Sequence, residues 1–320
     1  MKTLTVLNKG TMTRLDTALR AVPAGYVRVK VKYSGVGRTD ITAVRGGYLL
    51  APKRPFTPGY EYVGIDETGR RVAGLLPKMG AYQELIDADP RWCVPVPDAV
   101  DDQLAAALPL NYLTALALLE KTTRLNPGAA VLVHGAGGGV GRALLELARL
   151  RGLKTYGLAS AGRADELRAL GAVPLDRHAD WEAEAGSLVP GGFDAVFDAQ
   201  GLASFRGSWR LLAKGGILAA YGFATDLDGG LSHYVKGLAY IFSKSLYPSG
   251  KRAAVCGLPA IVAADFDWYR DAMARLFGWA ASGAVRPLIQ QVFPWNEVEK
   301  AHAVIIEGRV RGKLLLDFTV

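Results

Sequence analysis

Val131-Leu132-Val133-His134-Gly135-Ala136-Gly137-Gly138-Gly139-Val140-Gly141 is a short apolar run that empties into five glycines within seven positions. Glycine permits a sharp turn at a strand end, lets backbone N–H groups approach a phosphate, and allows the next helix to pack closely on the sheet. Residues 142–150, Arg-Ala-Leu-Leu-Glu-Leu-Ala-Arg-Leu, follow with apolar side chains at helical spacing. Strand, glycine turn and helix in that order are the context a dinucleotide site requires. Gly135, Gly137, Gly138, Gly139, Val140 and Gly141 are therefore expected to cradle a pyrophosphate at the helix N-terminus.

The end of the next strand selects the dinucleotide. An acidic residue about 20 positions beyond the glycines would accept hydrogen bonds from the ribose 2′-hydroxyl of NAD. Ala159 and Ser160 stand there instead, and the loop Ser160-Ala161-Gly162-Arg163 offers a hydroxyl and a guanidinium. A planar, bidentate donor suits the extra phosphate of NADP, so NADPH is the expected cofactor. The competing reading of Arg163 is a solvated residue in the first turn of the next helix.

Working outward, the texture from 126 to 222 alternates short apolar strands at 130–134, 155–159, 173–175, 195–198 and 217–221 with longer helical segments. Crossover helices imply a parallel, doubly wound sheet of Rossmann type. Before residue 113 the chain is rich in β-formers split by Gly and Pro, as in Pro52-Lys53-Arg54-Pro55-Phe56-Thr57-Pro58-Gly59, which suggests a partly open antiparallel β-barrel. The tail reads as a helix over 268–282, a strand at 290–293, a second helix and a strand at 313–318 that return to the barrel. Expected domains are 1–112, 113–253 and 254–320, the last completing the first lobe. At 320 residues two lobes are favoured over one, with the cleft between them as the natural ligand site.

Composition narrows the class. Half the residues are hydrophobic, mean hydropathy is +0.14, and no apolar run reaches the roughly 18 residues of a membrane helix. The segment Met1-Lys2-Thr3-Leu4-Thr5-Val6-Leu7 lacks a signal peptide's pattern, so a cytoplasmic protein is expected. Two cysteines, Cys93 and Cys256, form neither a disulfide framework nor a metal spacing and read as small buried hydrophobes. The net charge of +8 suits an anionic ligand, but scattered Lys and Arg without a motif argue against nucleic acid.

Five segments carry a family resemblance: Ser34-Gly35-Val36-Gly37-Arg38-Thr39-Asp40, Pro58-Gly59-Tyr60-Glu61, Leu108-Pro109-Leu110-Asn111-Tyr112-Leu113-Thr114-Ala115, the glycine turn, and Gly312-Lys313-Leu314-Leu315. In this order, from about residue 30 to the C-terminus, the chain resembles the medium-chain dehydrogenase/reductase superfamily in its zinc-free quinone oxidoreductase branch. The resemblance implies a discontinuous GroES-like catalytic lobe on a Rossmann lobe, with NADPH as cofactor. Where the zinc alcohol dehydrogenases carry cysteine, histidine and cysteine ligands, this chain has Gly37, Tyr60 and Leu110 or Asn111, so no metal is expected. Without that Lewis acid, reduction of an already electrophilic substrate is favoured over alcohol oxidation. Two departures stand out. Gly37 occupies a position where many zinc-free members have Asn, and 63–74 is short, with Arg70 in place of an aspartate, which implies a trimmed barrel and a wider substrate mouth.

The resemblance also suggests roles. Tyr48 matches a tyrosine that related enoyl reductases place near the substrate carbonyl, where a phenol stabilises an enolate and delivers a proton; otherwise it caps a hydrophobic cluster. Arg38 aligns with a position that reaches the cofactor pyrophosphate. Thr39 and Tyr60 are expected near the nicotinamide, Asp40 as a helix cap, and Asn111 and Thr114 beside the nicotinamide ribose or carboxamide. Gln200, Tyr221, Gly222 and Phe223 follow the fourth and fifth strands, the end of an α/β sheet where ligands lie, and Lys313 is expected as a cofactor or cleft cation. None of the four histidines has the setting of a catalytic base. The segment 234–257, rich in aromatics and cations, forms either a wall of the substrate site or a homodimer edge.

The expected function is an NADPH-dependent reductase of a quinone or an α,β-unsaturated carbonyl. The rivals are a ketone or aldehyde reductase and a non-enzymatic NADPH sensor or RNA-binding protein.

Overall fold

A computed structural model describes residues 1–222 and 230–320, and the chain divides into two compact units, Met1–Leu113 with Asp265–Val320, and Thr114–Ala264. The first unit opens with an antiparallel pair, β1 (Lys2–Asn8) and β2 (Thr11–Asp16), outside the main sheet. Next come β3 (Val27–Val36), β4 (Glu61–Asp66), β5 (Arg71–Leu75), β6 (Leu85–Ala88) and β7 (Cys93–Pro95). In β3, Val29 and Val31 are buried while Lys30 between them is exposed, the period-two pattern of a strand with one face on a core.

The second unit is built on β8 (Ala130–His134), β9 (Lys154–Ala159), β10 (Val173–Asp176), β11 (Phe193–Asp198), β12 (Leu212–Ala220) and β13 (Arg252–Val255). All pairs are parallel, in the order β10-β9-β8-β11-β12-β13. That order reverses between β8 and β11, the switch point of a doubly wound sheet. Covered on both faces, β8 and β11 are almost continuously buried, and Leu132, Val196 and Leu218 pack with Phe193 and Phe205 in one core.

The tail returns to the first unit as β14 (Ile289–Pro294) and β15 (Lys313–Asp317). Leu314 of β15 pairs with Val36 of β3, and the main sheet runs β14-β15-β3-β4-β5-β7, with β6 also on β3. The sheet is not wholly antiparallel as expected. β14 runs parallel to β15, because the helix Val298–Ile306 between them makes the crossover that parallel neighbours need. The chain also stays in the second unit beyond the expected residue 253. β13, only Arg-Ala-Ala-Val, is too short and weakly apolar to read as a strand, yet it pairs with β12, and the helix Leu258–Ala264 follows it in the same unit.

Candidate functional site

In the second unit β8 ends at His134 and the chain turns at Gly135, whose φ of +64° suits glycine without strain. A Cβ on Gly141 would collide with the Gly135 carbonyl oxygen, so the helix Gly139–Leu150 approaches the turn closely only without a side chain there. No side chain caps that helix at Gly138. The N–H groups of Gly139, Val140 and Gly141 have no intrahelical partner in the first turn and carry the positive end of the helix dipole. This cradle, which a Cβ would fill, fits a pyrophosphate.

Arg163 lies against the same turn: its Nη1 donates to the Gly137 carbonyl at 3.0 Å, and a Cβ on Gly137 would meet that nitrogen at 2.6 Å. Half-buried Ser160, directly after β9, stands between the strand and the short helix Ala161–Arg163. Of the pair expected at a 2′-phosphate, Arg163 touches the glycine turn, and Ser160 lies three residues before it at the end of β9. Gln200 is also near, its Nε2 placed 3.1 Å from where a Cβ on Gly135 would be.

Below this turn is a buried polar network that sequence reading missed. Asp198, fully buried at the end of β11, accepts from the Gln200 N–H at 2.8 Å, Ser204 Oγ at 2.9 Å and Ser208 Oγ at 2.7 Å. His134 Nε2 lies 3.0 Å from Ser208 Oγ, and burial pulls the imidazole below its usual pKa. Ser208 gives its proton to Asp198, so the trio is no hydrolase triad; it ties the ends of β8 and β11 together. The Tyr221 phenol donates to the His134 carbonyl at 3.2 Å, and burial raises its pKa. Tyr221 thereby serves β8 through its side chain. Gly222 is half-buried beside it, and Phe223 lies outside the described residues.

In the first unit, Gly37, Arg38, Thr39 and Asp40 start the helix Arg38–Val44. Asp40 caps as expected: Oδ2 accepts from the Gly37 N–H at 2.9 Å, and Oδ1 also holds the Gly59 N–H at 3.1 Å. Burial pushes its carboxyl up to about 6, offset in part by those N–H groups and the Lys313 charge. Half-buried Thr39 follows Arg38, whose guanidinium burial pulls below its ordinary pKa.

Two tyrosines meet here. Buried Tyr60 donates its phenol proton to Tyr48 Oη at 3.0 Å, with the rings edge-to-face at 86° and 6.3 Å between centroids. Val6, Val44, Phe56 and Met79 pack around them. Tyr48 is thus both a cluster member and a polar group.

Lys313 is corrected by the structure. Its ammonium, 3% exposed, forms an ion pair with the fully buried Glu61, whose other oxygen accepts from the Leu110 N–H at 2.8 Å. It balances a buried carboxylate instead of presenting a charge to a phosphate. Gly35 makes room for the pair, since a Cβ there would collide with Glu61 Oε1. Asn111, half-buried, and Thr114, buried, lie on the helix Asn111–Ala117. Among the described residues no group of three or more His, Cys, Asp or Glu is placed to hold a metal ion. Cys256 is buried as expected, but Cys93 is only half-buried and hydrogen-bonds the Tyr62 phenol at 3.1 Å.

The chain matches the family model for the GroES-like domain of alcohol dehydrogenases over residues 23–77, and that for zinc-binding dehydrogenases over 170–316. It is 30% identical to the human synaptic vesicle membrane protein VAT-1 homolog over 323 residues, covering 95% of this chain and 82% of that protein. Bovine quinone oxidoreductase-like protein 2 is 29% identical over 313 residues, 93% of this chain and 86% of that one. Among solved structures, the quinone oxidoreductase from Thermus thermophilus, described also in complex with NADPH, superposes with a TM-score of 0.81 at 28% identity, covering 99% and 100% of the two chains.

Proposed function

The chain belongs to the medium-chain dehydrogenase/reductase superfamily, in its quinone oxidoreductase-like branch, and we propose that it is an NADPH-dependent reductase of quinones or α,β-unsaturated carbonyls that works without a metal. The observation that carries this reading is Arg163 resting on Gly137 of the glycine turn, with Ala159 at the end of β9 and Ser160 after it instead of an acid. The quinone oxidoreductase relatives and the NADPH complex of the Thermus thermophilus enzyme support it.

NADPH, when bound, supplies the hydride. The chain's own residues bind, orient and move a proton. The turn N–H groups and the helix N-terminus hold the pyrophosphate, with Arg38 as an added cation, and Ser160 and Arg163 take the 2′-phosphate. Gln200 and Gly222, at the strand ends, border the adenine and nicotinamide halves, and Asn111 and Thr114 face the nicotinamide ribose or carboxamide. Tyr60, buried and neutral, donates to Tyr48 Oη, which directs the Tyr48 proton away from Tyr60. Tyr48 passes that proton to the substrate as negative charge grows on its carbonyl oxygen, and Thr39 adds a second polar contact. With Gly37, Tyr60 and Leu110 or Asn111 at the positions of zinc ligands, no thiolate or imidazole is available there to hold a metal.

The reading extends to a cytosolic homodimer. β13 ends the parallel sheet, and Phe242 (65% exposed) and Leu246 (86%) present an apolar surface nearby on the helix Gly230–Leu246. Light scattering of the purified protein should give twice the chain mass, and a monomer at micromolar concentration would remove the dimer.

The function is tested by NADPH oxidation against a panel of quinones, enones, ketones and aldehydes. Turnover with quinones or enones is expected. Tight NADPH binding with no turnover on any acceptor would favour a sensor, and turnover restricted to ketones or aldehydes would shift the substrate class.

A further inference from the structure

A cavity of about 300 Å³ opens in the first unit, bounded by the start of β3, β5, the segment 90–95 and the helix Phe266–Ala281. It contains none of the residues assigned above to cofactor or proton transfer. We propose that it binds a small organic oxyanion, a phosphate monoester or carboxylate with an apolar body. The proposal does not rest on the reductase reading.

Its walls are of two kinds. Val27, Val72, Pro90 and Pro95 offer apolar surface. Three arginines, Arg70, Arg91 and Arg270, also belong to the lining, the first two with mostly exposed side chains. Two are held in place by carboxylates along one edge only. Arg70 donates through Nε to Asp66 Oδ2 at 2.9 Å, while the other oxygen of Asp66 accepts from the Thr68 N–H, the Thr68 hydroxyl and the Arg70 N–H. Arg91 pairs with Asp89 through Nε at 3.0 Å and Nη2 at 2.6 Å, and its guanidinium lies 4.9 Å from the Phe266 ring centre. Each keeps its Nη1 donors for a further acceptor.

Arg270 is different: among the described residues it has no hydrogen bond and no ion pair. The backbone that carries it is anchored. The neighbouring Tyr269 donates to the Trp92 carbonyl at 2.7 Å, and Trp92 packs edge-on against Phe266 at 5.0 Å. This clamp ties the first turn of the helix to the segment that carries Arg91 and Cys93. Since Asp66 and Asp89 balance two of the three cations, the cavity keeps one net positive charge beside apolar walls. That is the complement of an amphiphilic anion. At the small end of ligand-site volumes, it suits an aryl or short acyl group better than a nucleotide.

Cys93, half-buried in the lining, provides a reporter. Phenyl phosphate, with benzoate beside it, is titrated calorimetrically into the whole protein. Iodoacetamide labelling of Cys93 is then followed by peptide mass mapping, with buried Cys256 as internal reference. Saturable binding of either anion that slows Cys93 labelling is expected, and the tighter of the two assigns the head group. Arg270→Gln, at an exposed site, should leave the melting temperature unchanged and weaken binding about 10- to 100-fold, as for loss of one charge-assisted hydrogen bond. Unaltered affinity in Arg270→Gln, no effect on Cys93 labelling, or no saturable binding would overturn the site. Inorganic phosphate binding as tightly as phenyl phosphate would overturn its assignment to an organic anion.

Discussion

The glycine turn of the second unit and the Tyr48–Tyr60 corner of the first reach their chemistry by opposite routes. The turn works by omission: side chains are missing at Gly135, Gly137 and Gly141, and among the described residues Arg163 and Gln200 approach it. The corner works by burial. Tyr60 reaches the Tyr48 phenol, and the next residue, Glu61, pairs with Lys313, 252 positions away. A site made of backbone is specified locally, whereas one made of buried side chains exists only once the whole unit has folded.

Breaking the corner should therefore cost most. Lys313→Met leaves the Glu61 carboxylate buried without a counter-charge, which should lower unfolding stability by about 3–5 kcal/mol. In urea titrations the double variant Glu61→Leu/Lys313→Met should recover most of that loss. A double variant no better than the single would mean that the two groups are uncoupled.

Tyr48→Phe sharpens the comparison from the chemical side. Turnover of enones should fall about 10- to 1000-fold under conditions where hydride transfer limits the rate. The NADPH dissociation constant should stay nearly the same, because the turn is untouched. Quinones should suffer less, since a reduced quinone is the stabler anion and takes its proton from water. Unchanged enone turnover would leave Tyr48 as a packing residue.

The third effect concerns pH. Asp40 titrates at about 6 in the folded chain, above its ordinary value, so the native state keeps a proton that the unfolded chain releases, and stability falls as pH rises from about 4 to about 6. His302, buried and pulled down to about 4 chiefly by burial, acts in reverse, and its contribution grows over that window. Each is worth about 3 kcal/mol at full extent, so the two largely offset. Asp40→Asn should therefore leave stability rising with pH between 4 and 6, and His302→Leu should leave it falling. Parallel pH profiles for the two variants would contradict these ionisation states.

The same contrast explains what could be read in advance. The parallel sheet and the glycine turn were legible because each is a local pattern of apolar runs and glycines. The role of Lys313 was not, because a lysine beside glycine in a strand looks the same whether it meets a phosphate or a buried carboxylate. The Tyr60 to Tyr48 hydrogen bond was equally hidden: both residues were identified, but nothing in their spacing brings their phenols to 3.0 Å. The trio His134, Ser208 and Asp198 escaped for the same reason, since each looks ordinary alone. β13 was missed because four weakly apolar residues become a strand only beside β12.

Arg163→Ala tests the central claim most directly, because the proposed choice of NADPH rests on this side chain lying against the glycine turn. Fluorescence titration of both cofactors should show NADPH binding weakened by about 1.5–3 kcal/mol, with NADH binding almost unaffected. Equal losses for NADPH and NADH, or no loss for either, would contradict the assignment of Arg163 to the 2′-phosphate.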